Sequence, residues 1–381
     1  MMTDLTTATV LDAQVPFTGV TFTDSLSGGG GSFTGTIDVD YQGPGFSEWP
    51  SNDGLRRVVW PCRDGKPTGA YLLTGVSPAA ADATQMRWKG VRLDWILGQR
   101  VIVDTLTFIS VDQNDILRDL MLYGLCRWTL FSSPAVQRTG MLPQGAVPWF
   151  VMDSTRSGVL RTRQETQGNT DDGYPGASRK VVAQMAKNLT ELDQGIEYRW
   201  LYRLGSTGLP EMVLDTGGPR LLVGTPEDTT GPKLTFDYPG GNISSASWGF
   251  DSTAIVTSAH VLGQRQDTTQ PIGSATYPDL WEQGFPLIEK VASESSVQSQ
   301  SILDGKAAGM IHAADDAWSL TLDGNRRPRF GEYGLGDYVT LRITRAGQRR
   351  DRSMRITGWS VSIEADGQEK VTPTVEVGKW L

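Results

Sequence analysis

Apolar and polar residues alternate with a period of two through most of this chain, and three stretches break that rhythm. Near the C-terminus Val339, Leu341 and Ile343 alternate with Thr340, Arg342 and Thr344. Trp359, Val361 and Ile363 alternate with polar partners in the same way. Such alternation puts one set of side chains on each face of a half-buried strand. A basic turn, 345–352, separates the two runs, and Asp366-Gly367 follows the second. That dipeptide reads as a two-residue hairpin loop with positive φ at both positions. The chain therefore closes as a strand meander, which reads as part of a barrel.

The first hundred residues carry the same signal. After a Thr/Asp-rich arm without a core of its own (1–15), short strands are expected at Phe17–Phe22, Phe33–Val39, Leu55–Trp60, Tyr71–Val76 and Met86–Leu93. Gly-rich turns join them, as in a small barrel or sandwich. The period changes after Asp112, a fitting N-cap, where Ile116, Leu117, Leu120, Met121 and Leu125 fall on one helical face. A second helix is expected from about Ala177, burying Val182, Met185 and Leu189 and ending at Gly195. A third, capped within Ser293–Ser296, would bury Ile302, Leu303 and Ala307. Between them lie strands at Val147–Met152, Ile196–Leu204, Glu211–Leu214, Leu234–Tyr238, Ile243–Phe250 and Ala254–Leu262, while 265–292 is polar. The fold class is α+β, mainly β. Met86-Arg-Trp-Lys-Gly90 and Met354-Arg-Ile-Thr-Gly358 echo one another, which leaves duplication and coincidence both open.

Composition narrows the function. A chain of 381 residues has room for two or three domains. Its net charge of −8 argues against a binder that works by neutralising phosphates. The 44 glycines suit tight turns, and the 12 tryptophans suit sheet cores and interfaces. Cys62 and Cys126 are isolated from each other and read as small buried hydrophobes. With no secretory leader and no apolar run of about 18 residues, synthesis in a reducing cytoplasm without membrane insertion is expected.

Candidate chemistry is sparse. Gly28–Gly31 lacks the Lys-Ser/Thr ending of a phosphate loop and reads as a flexible hairpin turn. Asp38-Val-Asp40-Tyr-Gln-Gly43 starts like a calcium loop but has Trp49 where a bidentate carboxylate belongs. His260 and His312 have no nucleophile elbow or zinc motif around them, and Asp171-Asp172 and Asp315-Asp316 read as solvated charge. No catalytic, cofactor-binding or metal-binding residue is expected. The sharpest charge features are Arg326-Arg327-Pro-Arg329 and the turn carrying Arg345, Arg349, Arg350 and Arg352. These four are the candidate subunit-contact residues, with an acidic neighbouring subunit or passing DNA as the contact, against the plainer reading of a solvated hairpin tip.

An ordered set of soft motifs then carries a resemblance. It comprises Phe22-Thr-Asp-Ser-Leu with its glycine tract, Met86–Gly90 leading to Leu97-Gly-Gln-Arg100, and Tyr277-Pro-Asp-Leu-Trp-Glu282. The helix carrying Ile302, Leu303 and Ala307 follows, and Gly336-Asp337-Tyr-Val-Thr, Ile356-Thr-Gly358 and Pro373-Thr374 complete it. In this order the chain resembles the minor tail proteins of long-tailed, siphovirus-type bacteriophages, specifically the tail-hub class, which is similar to the baseplate hub of contractile-tail phages. The resemblance implies two small β-barrel domains, at 16–110 and at 206–262 with 318–381. It also implies helix-containing insertions at 111–205 and 263–317. It further implies a homotrimeric ring at the virion tail tip, joining the sixfold tail tube to threefold tip proteins. Implied partners are the distal tail or tube protein, the tape measure protein, and tip or receptor-binding proteins. DNA would pass through without sequence-specific binding. Because the chain stops soon after the last meander, no added enzymatic or receptor-binding extension is expected. A carbohydrate- or receptor-binding module, motivated by Trp49, Trp149 and Trp281 on loops expected to be exposed, is the alternative, and a cell-wall hydrolase relying on the carboxylates is the third.

Overall fold

The computed structural model describes residues 1–41, 54–79, 84–137, 147–164, 173–192, 194–217, 234–251, 253, 255–265, 269–277, 282, 284, 286–295, 297–311, 315–345 and 348–377. The early strands are β1 (Met2–Asp4), β2 (Val10–Asp12), β3 (Gly19–Ser25), β4 (Ser32–Asp38), β5 (Arg57–Val59), β6 (Cys62–Arg63), β7 (Lys66–Pro67), β8 (Tyr71–Pro78) and β9 (Gln85–Arg92). The middle holds α1 (Trp95–Gly98), β10 (Phe108–Asp112), α2 (Gln113–Cys126), β11 (Phe150–Met152), β12 (Leu160–Arg163), α3 (Val182–Thr190), β13 (Tyr198–Leu204) and β14 (Pro210–Thr216). Then come β15 (Thr235–Tyr238), β16 (Ile243–Asp251), β17 (Ser258–Leu262), β18 (Ile272–Thr276), β19 (Glu289–Ser293) and α4 (Gln300–Met310). The chain closes with β20 (Asp315–Asp323), β21 (Tyr338–Arg345), β22 (Gln348–Ile363) and β23 (Glu369–Val377).

Strands from both ends of the chain share one sheet of 13 strands, running β16-β20-β23-β22-β3-β4-β9-β8-β5-β1-β2, with β21 and β15 branching from β22. The branch arises because β22 is 16 residues long. Along one edge its first half pairs with β21, from Arg345↔Gln348 to Tyr338↔Arg355, and its second half pairs with β3, from Gly358↔Ser25 to Ile363↔Val20. Its other edge is covered by β23, with a bulge between Ile356 and Gly358 that marks the changeover. The main path is open among the described residues, so no closed barrel is present there. In the C-terminal half β15 and β16 are joined by a short turn in which buried Asn242 accepts from the Asp237 N–H at 3.3 Å and donates to the Pro328 carbonyl at 3.3 Å.

The echoed segments do not occupy matching places. β9 lies between β8 and β4, whereas β22 lies between β21 or β3 on one side and β23 on the other. Each pairs with the strand that precedes it in sequence, but the second neighbours differ.

Packing explains the uninterrupted apolar runs at Val58–Trp60 and Tyr71–Leu73. Val59, Tyr71 and Leu73 enter a core shared with Phe236, Leu341, Ile356 and Val361 of the C-terminal half. Val58, Trp60 and Leu72 face the opposite way, into a second core with Leu117, Leu120 and Met121 of α2 and Val182 and Leu189 of α3. A sheet buried on both faces loses its alternation. The segment 1–15 is the rim of this sheet: β1 pairs with β2 and β5, Met2 is fully buried, and the Met1 amine donates to the Trp60 carbonyl at 3.1 Å.

Helix α2 is enclosed nearly all round, with Asp112 capping it by accepting from the Asn114 N–H. Its polar residues clamp loops. Asp119 accepts the N–H groups of Leu130, Phe131 and Ser132 at 2.7–2.8 Å, and Arg118 reaches Asp115 and Asp153 at 2.7 and 2.8 Å. Helix α3 starts at Val182, later than periodicity indicated, because 176–178 form a separate 3-10 turn. The stretch 265–292, read only as polar, contributes β18 and leads into β19. These flank β17 on either side and form a third core with α4 around Val261, Leu303 and Ala307. Ser293 ends β19 and α4 begins after Ser299, so the expected cap at Ser293–Ser296 is not the helix start. The Asp366-Gly367 connection is also longer than two residues: only Gly367 has positive φ, and Glu364 N–H closes on the Gln368 carbonyl at 2.9 Å.

Candidate functional site: assembly surfaces and the seam behind them

The basic run 345–352, which reads as a turn, is mostly strand: β22 begins at Gln348, so Arg349, Arg350 and Arg352 lie in the β21–β22 ladder. Alternation and an eight-residue ladder hold this hairpin extended, with Ile343↔Arg350, Thr344↔Arg349 and Leu341↔Arg352 as opposed pairs. Arg349 and Arg352 are exposed. Arg349 binds Asp351 through two hydrogen bonds at 2.9 and 2.6 Å, which raises the guanidinium pKa and lowers that of the carboxyl. Arg342, opposite Asp351, sits 3.4 Å from Asp237 and 3.7 Å from Asp351. Arg345 and Arg350 take their places in the same ladder. The hairpin is thus basic but partly neutralised within itself. The other cluster is paired too, Arg326 with Asp323 at 3.3 Å and Arg327 with Glu332 at 3.9 Å.

Sequence reading missed the cations that hold the molecule together. Arg92, with a side chain only 1% exposed, grips Asp94 through two hydrogen bonds at 2.8 and 2.7 Å and also contacts Asp24 and the Ser25 carbonyl. Burial alone would lower its pKa, but Asp94 and Asp24 hold it well above the ordinary value. From β13, Tyr202 donates to Asp24 at 2.8 Å and Trp200 to Asp94 at 3.0 Å. On the other half, Arg355 makes a two-pronged pair with Glu197 at 2.6 and 2.5 Å, and Arg199 donates to the Leu335 carbonyl at 2.6 Å. The segment 197–202 therefore fastens to both halves of the large sheet. A signal was present for Arg92: it falls in register with Trp88 and Gly90 on the buried face of β9. A charge on an apolar face requires buried partners.

Other candidates resolve differently. The glycine tract is packed against β13: the Ser27 N–H donates to the Tyr198 carbonyl at 2.8 Å, and a Cβ on Gly28 would lie 2.4 Å from the Tyr198 hydroxyl. Trp149, expected on an exposed loop, is buried and donates to the Leu5 carbonyl at 2.7 Å. Trp49, Trp281, His312, Asp171 and Asp172 lie outside the described residues. His260 on β17 meets Ser274 at 3.0 Å and Glu289 at 3.4 Å, and Asp315 and Asp316 open β20. Cys126 is buried as read, but Cys62 is exposed. Among the described residues no group of three or more His, Cys, Asp or Glu side chains gathers as a metal site, and no helix is long and apolar enough to cross a membrane.

No protein-family model matches the chain, and no curated protein sequence does. Solved structures do. The chain is similar to a tail protein of Neisseria meningitidis, with a TM-score of 0.55 and 11% identity over 94% of this chain and 92% of that one. It is similar to the 43 kDa tail protein of prophage MuSo2 from Shewanella oneidensis, with a TM-score of 0.53 and 12% identity over 95% and 94%. An E. coli component of the type VI secretion system, itself described as similar to the T4 bacteriophage tail proteins gp27 and gp5, matches with a TM-score of 0.52 and 10% identity over 100% and 77%. The chain has the fold of these tail proteins from end to end.

Proposed function

We propose that this chain is a structural subunit of the hub at the distal end of a phage-type tail. In this reading three copies form a ring that joins the sixfold tube to threefold tip proteins and surrounds the channel for tape measure and DNA. The observation that carries it is the tail-protein fold extending over nearly the whole of both compared chains. The subunit is a scaffold, and no reaction is assigned to it.

The proposed units are barrel-like regions at 16–110 and at 206–262 with 318–381, with insertions at 111–205 and 263–317. Support for the second comes from the path β16-β20-β23-β22-β21-β15, whose two end strands are joined by the Asn242 turn. The basic hairpin carrying Arg345, Arg349, Arg350 and Arg352 is the proposed subunit contact, matched to an acidic face of the next copy in a chain of net charge −8.

Reconstruction of the intact tail tests this reading. Three copies in a ring at the tip support it, and copies distributed along the tube overturn it. The double change Arg349→Glu, Arg352→Glu, at two exposed positions, breaks the Arg349–Asp351 pair. Solvent screens such a surface pair, so the change is expected to lower the melting temperature only slightly and to reduce ring-containing tails at least tenfold. Unchanged tail yield would remove the hairpin from the contact.

A further inference from the structure

A groove runs between the middle unit and the β17–β19/α4 unit, on elements other than the basic hairpin. Two basins of about 430 and about 390 Å³ form it, sharing Arg163, Leu192 and Ile302. Its floor is apolar, with Met185 and Leu189 from α3 and Val297 and Ile302 from the facing unit. Its walls are basic: Arg163, Arg179, Lys180 and Lys306 line one basin, and Arg161 joins Arg163 in the other. Among the described lining residues the carboxylates are Glu191 and Glu294. Lys306 engages Glu294 at 2.8 Å, and Lys187 lies 3.5 Å from Glu191.

Arg163 contacts the Tyr174 hydroxyl and Arg179 donates to the Val103 carbonyl at 3.2 Å, so among the described residues neither meets a carboxylate. A cationic, low-dielectric cleft on a chain of net charge −8 concentrates field of the sign opposite to the molecule's own.

We propose that this groove takes an extended segment of a partner protein in which carboxylates alternate with apolar side chains. The aliphatic floor would receive the apolar positions and the basic walls the carboxylates. The aromatic residue among the described lining, Tyr174, is buried, so the groove offers nucleic-acid bases no exposed stacking face, which favours peptide over polynucleotide. The inference stands whether or not the chain forms a ring.

The test is fluorescence anisotropy with the full chain and a labelled dodecapeptide, Glu-Leu-Asp-Val repeated three times, in 50 mM salt. Saturable binding is expected, at least tenfold weaker in Arg163→Glu, Arg179→Glu and at least tenfold weaker in 500 mM salt. Because Arg163 also contacts Tyr174, a second variant, Gln184→Glu with Asn188→Glu, adds negative charge to the α3 wall and leaves that contact alone. It should show the same loss. Absent binding by the unchanged chain, or equal binding by both variants, overturns the proposal. So does tighter binding of a dodecanucleotide, and so does self-association that both variants abolish, which would give the groove to a second copy.

Discussion

Replacing Arg92 with Met removes the guanidinium at the seam while retaining an unbranched stem of similar volume. Asp24, whose side chain is fully buried, keeps the Tyr202 and Ser25 donors but loses its cation, and Asp94 loses two hydrogen bonds at 2.8 and 2.7 Å. Breaking a buried pair by deleting one partner costs about 3–5 kcal/mol, because the remaining charge is stranded away from water. Urea unfolding should therefore show a lower midpoint at unchanged slope, equivalent to that loss. Adding Asp24→Asn removes one stranded charge, so the double variant should recover at least ~1 kcal/mol of the deficit. A single variant within ~1 kcal/mol of the parent would refute this account of the seam. A double variant no better than the single one would refute it equally.

Asp119 supplies a pH prediction. Burial pushes its pKa up to about 6 against the opposing pull of three backbone N–H donors. The folded chain therefore holds this proton more tightly than the unfolded chain. Its stabilising effect is complete below about pH 4 and is lost as pH rises through 6, a swing of about 3 kcal/mol. Unfolding the parent and Asp119→Asn side by side at pH 4, 5 and 6 should show the parent gaining on the variant toward acid, and a constant difference would refute it. Gly28 and Gly30 both have positive φ, at 74° and 84°, but only a Cβ at Gly28 meets Tyr198. Gly30→Ala should cost about 1–3 kcal/mol from backbone strain alone, and Gly28→Ala clearly more. Equal midpoints in urea would show that the contact with β13 carries no weight.

Local pattern revealed elements with a single buried face and concealed those whose neighbours are distant in sequence. The β21–β22 hairpin was legible because Val339, Leu341 and Ile343 alternate cleanly, but the basic run 345–352, which reads as a turn, belongs from Gln348 onward to β22. Helix α2 was legible as a helix, but not the burial of its polar side: the donors that satisfy Asp119 come from Leu130–Ser132. Strand β19, reading Glu-Lys-Val-Ala-Ser, has little apolar signal and is held by parallel pairing with β17. Trp149 shows the same limit from the other side. A tryptophan beside prolines suggests an exposed loop until a carbonyl 144 residues away accepts its indole N–H. Within the candidate site, the exposed arginines could be read from the sequence, whereas the buried pairs of Arg92 and Arg355 depend on tertiary partners.

The length of β22 also orders events during synthesis. Strand β3 has two partners, β4 on one edge and β22 on the other, with Phe22 opposite Val361. At roughly 5–20 residues per second, the 339 positions that separate Val361 from Phe22 take roughly 20–70 s to translate. Throughout that interval the outer edge of β3 is an unfilled strand site, open to any extended chain nearby. A ribosome stalled before β22 thus leaves an adhesive intermediate, and truncations ending before about residue 357 should aggregate rather than accumulate as soluble N-terminal fragments.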